Sequence, residues 1–472
     1  MLKNLLIYSA GIFFSKILVF FLIPIYTYYL APSDYGYYDV LVSNMQLLVC
    51  VAFLEIWNGV LRYMFDYDDI KDKNIVVKSV LYMTIPLLAF LFCGLILISF
   101  IVEIRFLAQT VLYIISYAFL QTLQGIARGF EKNRLYVWSG VITTLIYCLL
   151  SIYFVVFLGK GIDFILSALV VGNLTAIAIL VNRLQLLKLL KNAAVDYNLC
   201  KEIFIFCLPF LLNTIAYTFL DTFDKNYLLE KIGSEQIAYY AVASKFAAII
   251  GIIASIYQLA WQEYSFRHAN SENKDEIYTL SVNTYLKFMG VSIPISVVLV
   301  SLTFDLIIGV DYRSALTLVP LAMLTAFIGS VTGVLGNLFA VIKKNKYFFS
   351  TTLAGAIVNM ILLVILTPVI SIHAINVALF WGFLVIVIYR FRIVSRYIQI
   401  RLNKSVLIII CITSMIACLP YVYPTLLMHV GTLILLLVVW YYINRELLMS
   451  LFSALKFKIG ELIKNRRGGS DR

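Results

Sequence analysis

The sequence predicts an all-α, polytopic membrane protein, and three observations carry that expectation. Of 472 residues, 62% are hydrophobic and only 13% are charged, whereas a soluble domain has about 45–50% apolar and about 25% charged residues. Mean hydropathy is +0.95, and apolar runs of the roughly 18 to 20 residues that cross a bilayer as a helix recur along nearly the whole chain. No stretch sustains the apolar/polar alternation over ~10 residues that a transmembrane barrel needs. Helices then remain as the way to satisfy a spanning backbone in lipid.

Taking each apolar run as one helix gives about 14 transmembrane helices. The first six run Leu5 to Leu30, Tyr38 to Leu61, Ile75 to Val102, Phe106 to Ala127, Leu135 to Leu158 and Ile162 to Val181. The next six run Ile203 to Leu229, Ile237 to Trp261, Ser281 to Ile308, Ala315 to Ile342, Tyr347 to Val369 and Ile372 to Tyr389. Ser405 to Val422 and Pro424 to Ile443 complete the set. The first run is too long for a signal-peptide core and lacks a small-residue cleavage site, so it is expected to remain as a span. Most of the 37 Lys and Arg residues, among them Lys71, Lys132, Lys188, Lys344, Arg390 and Arg445, fall on the side of the N-terminus. By the positive-inside rule that side is the cytoplasm, and both termini lie there.

Charge and motif content exclude several classes. The net charge of +12 is scattered between apolar runs instead of forming a basic face, which argues against nucleic acid as a partner. The seven cysteines show no CxxC or Cys/His spacing, so neither a disulfide framework nor a metal site is expected. His268, His373 and His429 are far apart in the sequence, and no P-loop, HExxH or GxSxG motif occurs in a suitable setting. The reading is a transporter with no catalytic residues.

An internal duplication runs through the first twelve spans. Ser33-Asp-Tyr-Gly-Tyr-Tyr-Asp-Val40 matches Glu235-Gln-Ile-Ala-Tyr-Tyr-Ala-Val242. At a nearly constant offset Pro86 then meets Pro294, Glu131-Lys-Asn-Arg134 meets Lys343-Lys-Asn-Lys346, and Gly172 meets Gly382. The expected domains are two homologous six-helix halves, 1–190 and 191–400, two additional helices in 401–445, and a basic amphipathic tail in 446–472 lying on the inner leaflet. Six helices per half make a parallel repeat about an axis near the membrane normal, an architecture that suits alternating access.

Each ionisable residue inside a span costs about 2.5–3.5 kcal/mol on insertion scales, so each needs a cavity, a pathway or a partner. Lys16 lies near the middle of the first span, while Lys225 and Lys245 lie in the seventh and eighth. Together with Arg62 at the end of the second span, they are candidates to hold an anionic head group. Arg62 also reads as a positive-inside anchor. For the lysines the alternative is neutralisation, with Asp221 or Asp224 pairing Lys225 or Lys245 between helices. Glu55, Asp221 and Asp224 are candidates to carry a coupling proton or sodium ion, because burial changes the affinity of a carboxylate for protons. Asp39 reads as interfacial. Polar stripes recur at helical spacing, Glu55, Asn58, Gly59 and Arg62 in the second span and Tyr113, Tyr117, Gln121, Gln124 and Arg128 in the fourth, as if lining an inner vestibule. Tyr26, Tyr28, Tyr29, Tyr35, Tyr37 and Tyr38, around the first outer connection, read as an interfacial aromatic belt, with sugar stacking as the alternative.

At these residues the chain resembles the polysaccharide biosynthesis or oligosaccharide flippase family (Wzx-type), within the multidrug/oligosaccharidyl-lipid/polysaccharide exporter superfamily. The resemblance rests on Ser15-Lys16 and Pro24, Tyr35-Gly36 with Tyr38, Arg62, Asp224-Lys225, Tyr240 and Lys245. It implies a flippase that moves undecaprenyl-diphosphate-linked oligosaccharide from the inner to the outer leaflet of a bacterial plasma membrane, driven by an ion gradient and needing no cofactor. It also implies membrane lipids, the polysaccharide polymerase and the chain-length machinery as partners. Precursor flippases of that group place cations on spans 1, 2 and 8. Lys16 and Lys245 match, while the second span carries Asp39 and Glu55. A multidrug/proton antiporter would share the fold, but a cationic drug calls for acidic groups. A membrane-embedded glycan polymerase would be expected to expose a large outer loop, and every outer connection here is short.

Overall fold

The computed structural model describes residues 2–100, 105–191, 193–269, 271–342, 344 and 346–467, with the side chains of 2–10, 12, 95–99, 209–210, 212–213, 216–221, 259, 263 and 450–467 excepted. The chain is 88% helical, without strands among the described residues. Its helices are α1 Leu2–Tyr29, α2 Pro32–Phe53, α3 Ile56–Met64, α4 Ile70–Ser99, α5 Leu107–Gly129 and α6 Asn133–Ile152. They continue as α7 Ile162–Leu184, α8 Leu186–Lys191, α9 Tyr197–Ile232, α10 Ser234–Arg267, α11 Lys274–Ile307 and α12 Val319–Val341. The last are α13 Lys346–Ile370, α14 His373–Val394, α15 Lys404–Ile416, α16 Leu419–Val422 and α17 Leu426–Arg467. A π-helical turn, Tyr153–Phe157, prolongs α6, and a 3-10 segment, Val310–Leu318, leads into α12. Twelve described segments are long and apolar enough to cross a membrane. The 28-residue α1 and the 36-residue α9 coincide with the first and seventh expected spans. The protein is a multi-pass membrane protein of the expected all-α class.

Local chemistry sets the boundaries. Pro32 opens α2 after an extended Ala31, since a first-turn proline lacks only an N–H that the helix leaves unpaired anyway. The Asp196 carboxylate caps α9 by accepting from the amides of Asn198 and Leu199 at 2.9 and 3.2 Å, and Asn403 caps α15 in the same way. Gly233, at φ +84°, turns the chain from α9 into α10. The second expected span differs from its sequence reading. It starts earlier, at Pro32, and breaks at Leu54 and Glu55, both left-handed at φ 52° and 53°, before resuming as α3. Apolar periodicity does not register such a break, because the hydrophobic run continues through it. At the other end, α17 continues from the last span to Arg467 as one helix, where a separate tail helix was expected.

The chain divides into two compact units. The first comprises Met1–Lys245, Ile307–Leu318 and Thr352–Gly382. One apolar cluster in it joins Ile56 and Val60 of α3, Val76 and Val80 of α4, Leu123 and Ile126 of α5, Leu180 of α7 and Ile203 of α9. Close helix crossings occur at glycines. A Cβ on Gly172 would stand 2.7 Å from the Thr143 carbonyl oxygen, and one on Gly382 would stand 2.9 Å from that of Gly355. The tyrosines expected as a belt divide in two. Tyr28 and Tyr29 are exposed, whereas Tyr26, Tyr35 and Tyr38 are buried. The hydroxyls of Tyr26 and Tyr38 meet that of Tyr147 at 2.8 and 3.0 Å. These three phenols clamp α1 and α2 to α6, because a buried hydroxyl must find a partner. The expected vestibule stripe on α5 is partly closed in as well. Tyr113 and Gln124 are buried, and the Gln124 amide donates to Ser139 Oγ at 3.0 Å.

The second unit comprises Phe246–Leu306, Val319–Thr351 and Phe383–Arg472. Trp261 donates its indole N–H to the Val334 carbonyl at 3.0 Å, and the Tyr285 hydroxyl lies 2.6 Å from Ser330 Oγ. The C-terminal helices are fastened along α11. Asn283 donates to the Arg401 carbonyl at 2.8 Å, Trp440 donates to Ser292 Oγ at 2.9 Å, and Ser301 Oγ meets His429 Nε2 at 3.0 Å. Arg390, read in the sequence as part of the cytoplasmic charge excess, is fully buried. Its guanidinium reaches Thr351 Oγ1 at 3.1 Å and the Thr332 carbonyl at 2.6 Å, and it lies over the Phe348 ring at 4.3 Å.

Candidate functional site

Two lysines of the first unit converge on Asp39, in the second turn of α2. Its carboxylate is 6% exposed. Lys225 of α9 approaches Oδ2 at 3.0 Å, and Lys245 of α10 approaches Oδ1 at 3.4 Å. The Lys225 ammonium also donates to Ser43 Oγ, one turn further along α2, at 2.8 Å. Beside it Asn44 and Asn226 exchange amide hydrogen bonds at 3.1 and 2.7 Å. The α2–α9 contact at this level is therefore an ion pair, a hydroxyl and a reciprocal amide pair in succession.

Such pairing is what burial demands. An isolated charge in an apolar setting is strongly disfavoured, and partners with satisfied hydrogen bonds offset that cost. The helix turn supplies the register, since Asp39 and Ser43 are four residues apart and present their side chains to one neighbour. Gly36, one turn before Asp39, lets α2 approach α10, for a Cβ there would collide with the Ser234 carbonyl oxygen.

A second polar centre forms at Asp224, the residue before Lys225 in α9. Asp224, 1% exposed, accepts from the Asn359 amide of α13 at 3.0 Å on Oδ1 and 2.9 Å on Oδ2. Asn359 Oδ1 is itself buried without a hydrogen-bond partner among the described residues. Glu55 is a third buried carboxylate, 6% exposed, at the break between α2 and α3. It accepts from Asn58 Nδ2 at 2.8 Å.

Of the residues singled out in the sequence, Lys225 and Lys245 come together, with Asp224 adjoining. The acid that joins the two lysines is Asp39, and its burial corrects the interfacial reading: α2 begins six residues before the expected start, which draws Asp39 inside the packing. Lys16 is exposed on α1. Arg62 is exposed on α3 and forms its ion pair with Asp66, one turn on, apart from the lysines. Asp221 lies outside the described side chains. Sequence reasoning passed over Ser43, Asn44, Asn226 and Asn359. Each is an amide or hydroxyl within an apolar run, which is the available signal, since a polar group buried in lipid needs a partner.

Fold and contacts together define a helical multi-pass membrane protein with paired charges inside its spans. The chain belongs to the polysaccharide biosynthesis protein family, whose model matches residues 1–262. No curated protein sequence matches it. Among solved structures it is similar to the lipid II flippase MurJ in an inward closed conformation, at 14% identity and a TM-score of 0.70, covering 94% of this chain and 100% of that one. It is also similar to an inward-facing multidrug resistance MATE family transporter of the MOP superfamily, at 13% identity and a TM-score of 0.66, covering 81% of this chain and 94% of that one. A third similar structure is the MATE transporter ClbM in complex with Rb+, with a TM-score of 0.53, 14% identity and coverage of 86% and 96%. The fold is thus the one found in transporters of the MOP superfamily.

Proposed function

We propose that the protein is a flippase carrying undecaprenyl-diphosphate-linked oligosaccharide repeat units from the cytoplasmic to the outer leaflet of a bacterial inner membrane, for surface polysaccharide such as O-antigen, capsule or exopolysaccharide. The observation that carries this reading is the convergence of Lys225 and Lys245 inside the spans of a polysaccharide biosynthesis family member. Ammonium groups held within a membrane protein suit a diphosphate. A glycan crossing lipid unescorted would lose hydration at every hydroxyl, at a cost of several kcal/mol each. A polar route removes most of that barrier while the prenyl chain stays in lipid.

In this reading residues 1–190 and 191–400 are the two repeated halves whose rocking gives alternating access, and both termini are cytoplasmic. Lys16 and Arg62 contribute further positive charge along the route. Coupling to a proton or sodium gradient falls to the buried carboxylates Asp224 and Glu55, together with Asp221. Asp224 is the best supported of these, because Asn359 Oδ1 beside it is a buried acceptor in need of a donor or a cation. The polymerase and chain-length machinery would take over the flipped product.

The test is deletion of the gene in its host, followed by assay of surface glycan and of the leaflet in which the lipid-linked unit resides. Units trapped on the cytoplasmic face support flipping. Single units that reach the outer leaflet and never lengthen would identify a polymerase. Unchanged glycan with heightened drug sensitivity would identify a multidrug antiporter, and multidrug resistance is named for a similar MATE family transporter.

A further inference from the structure

The two lysines hold Asp39 unequally. Lys225 is the anchor: its side chain is 9% exposed and lies 3.0 Å from Oδ2, with a second bond to Ser43 Oγ at 2.8 Å. Lys245 is the outer partner, 37% exposed, and donates to Oδ1 over a longer 3.4 Å. The buried lysine makes the shorter contact to the carboxylate, and the accessible lysine the longer one.

From this asymmetry we infer that Asp39 is a release residue: it competes with the substrate's phosphate for the Lys245 ammonium, yields it when the phosphate arrives, and reclaims it when the phosphate leaves. The inference rests on the reading of the protein as a flippase of diphosphate-linked lipid. An anion site built from lysines alone would hold a diphosphate without providing for its departure. A tethered carboxylate lowers the net binding energy and gives the ammonium a partner in the empty protein, so neither state leaves it unpaired. The ligand chemistry is a phosphate or diphosphate ester, delivered either on a lipid or free in water.

The experiment uses the full chain in lipid nanodiscs and measures equilibrium binding of undecaprenyl diphosphate and, separately, of inorganic diphosphate. Asp39→Asn is expected to bind the lipid diphosphate about fivefold more tightly, the worth of a half-exposed ion pair, and to flip it more slowly in proteoliposomes. Lys245→Gln, which leaves the Asp39–Lys225 pair in place, is expected to bind about fivefold more weakly. The double variant should show no gain from Asp39→Asn. A gain with both ligands supports exchange at a site that reads phosphate alone, and a gain confined to the lipid supports exchange with a head group arriving from the bilayer. Unchanged binding by Lys245→Gln overturns the inference, whether or not Asp39→Asn folds, and so does faster flipping by Asp39→Asn. If the unaltered protein binds no undecaprenyl diphosphate, the flippase reading itself fails. If it binds and the variants do not differ, only the exchange does.

Discussion

The ammonium of Lys225 stands 3.0 Å from the carboxylate of Asp39, with both side chains less than a tenth exposed, so α9 and α2 meet through an ion pair that water scarcely reaches. Removing one partner of such a pair strands the other. Lys225→Met is expected to destabilise the protein by about 3–5 kcal/mol, because Asp39 keeps only the longer contact to Lys245. Lys225→Met combined with Asp39→Asn should recover most of that loss, since no carboxylate then remains to be compensated. Unfolding in mild detergent of the two single variants and the double measures the coupling. Strictly additive losses would show that the pair contributes nothing as a pair.

Asn359 is expected to matter for both stability and energy coupling. It supplies amide hydrogens to both oxygens of Asp224, and Asn359→Leu removes both of these hydrogen bonds from a buried carboxylate, at a cost of about 1–3 kcal/mol. If Asp224 carries the coupling ion as proposed, the same variant, in proteoliposomes with an imposed proton or sodium gradient, should lose the gradient-dependent part of lipid flipping while keeping any slow gradient-independent part. Full retention of gradient stimulation would remove this pair from the coupling path.

The break between α2 and α3 places a leucine in the left-handed region, at φ 52°. A branched β-carbon fits that region poorly. Leu54→Ile, which keeps volume and apolarity, should therefore cost about 1–2 kcal/mol more than Leu48→Ile in the regular part of α2. Thermal unfolding of the two variants side by side gives the difference. Equal melting temperatures would mean that α2 and α3 form one continuous helix in the membrane.

The all-α class and most of the apolar spans were legible because lipid imposes a simple rule: roughly 20 apolar residues per crossing and a helical backbone throughout. The place of Lys225 and Lys245 inside helical spans was legible for the same reason, since charge in an apolar run stands out. Their partner was not. Asp39 lies beside a connection, where a charge ordinarily meets water, and only the early start of α2 at Pro32 shows that it is enclosed. Pairing between helices distant in sequence leaves no local mark, so Asp224 with Asn359 had to be seen in three dimensions. Gly172 and Gly382 show the opposite case. They align in the repeat we propose, and each sits where its helix presses on a neighbouring carbonyl, Thr143 in one case and Gly355 in the other.

Arg390 gives the sharpest contrast between a residue's sequence position and its setting. By position it belongs with the basic residues expected on the cytoplasmic side after the twelfth span, yet it lies within α14 and is fully buried. Its Nε donates to Thr351 Oγ1 and its Nη1 to the Thr332 carbonyl, while the planar group lies against Phe348. Three helices, α12, α13 and α14, are thus joined by one guanidinium. A lysine keeps the charge but has neither the fork nor the flat face, so the exchange is not conservative here. Arg390→Lys is expected to lose at least one charge-assisted hydrogen bond, about 1.5–3 kcal/mol, and with it several degrees of melting temperature. Arg392→Lys, on the same helix but less buried, should be nearly neutral. The comparison separates geometry from charge: if both variants melt with the unaltered protein, positive charge alone is what position 390 requires.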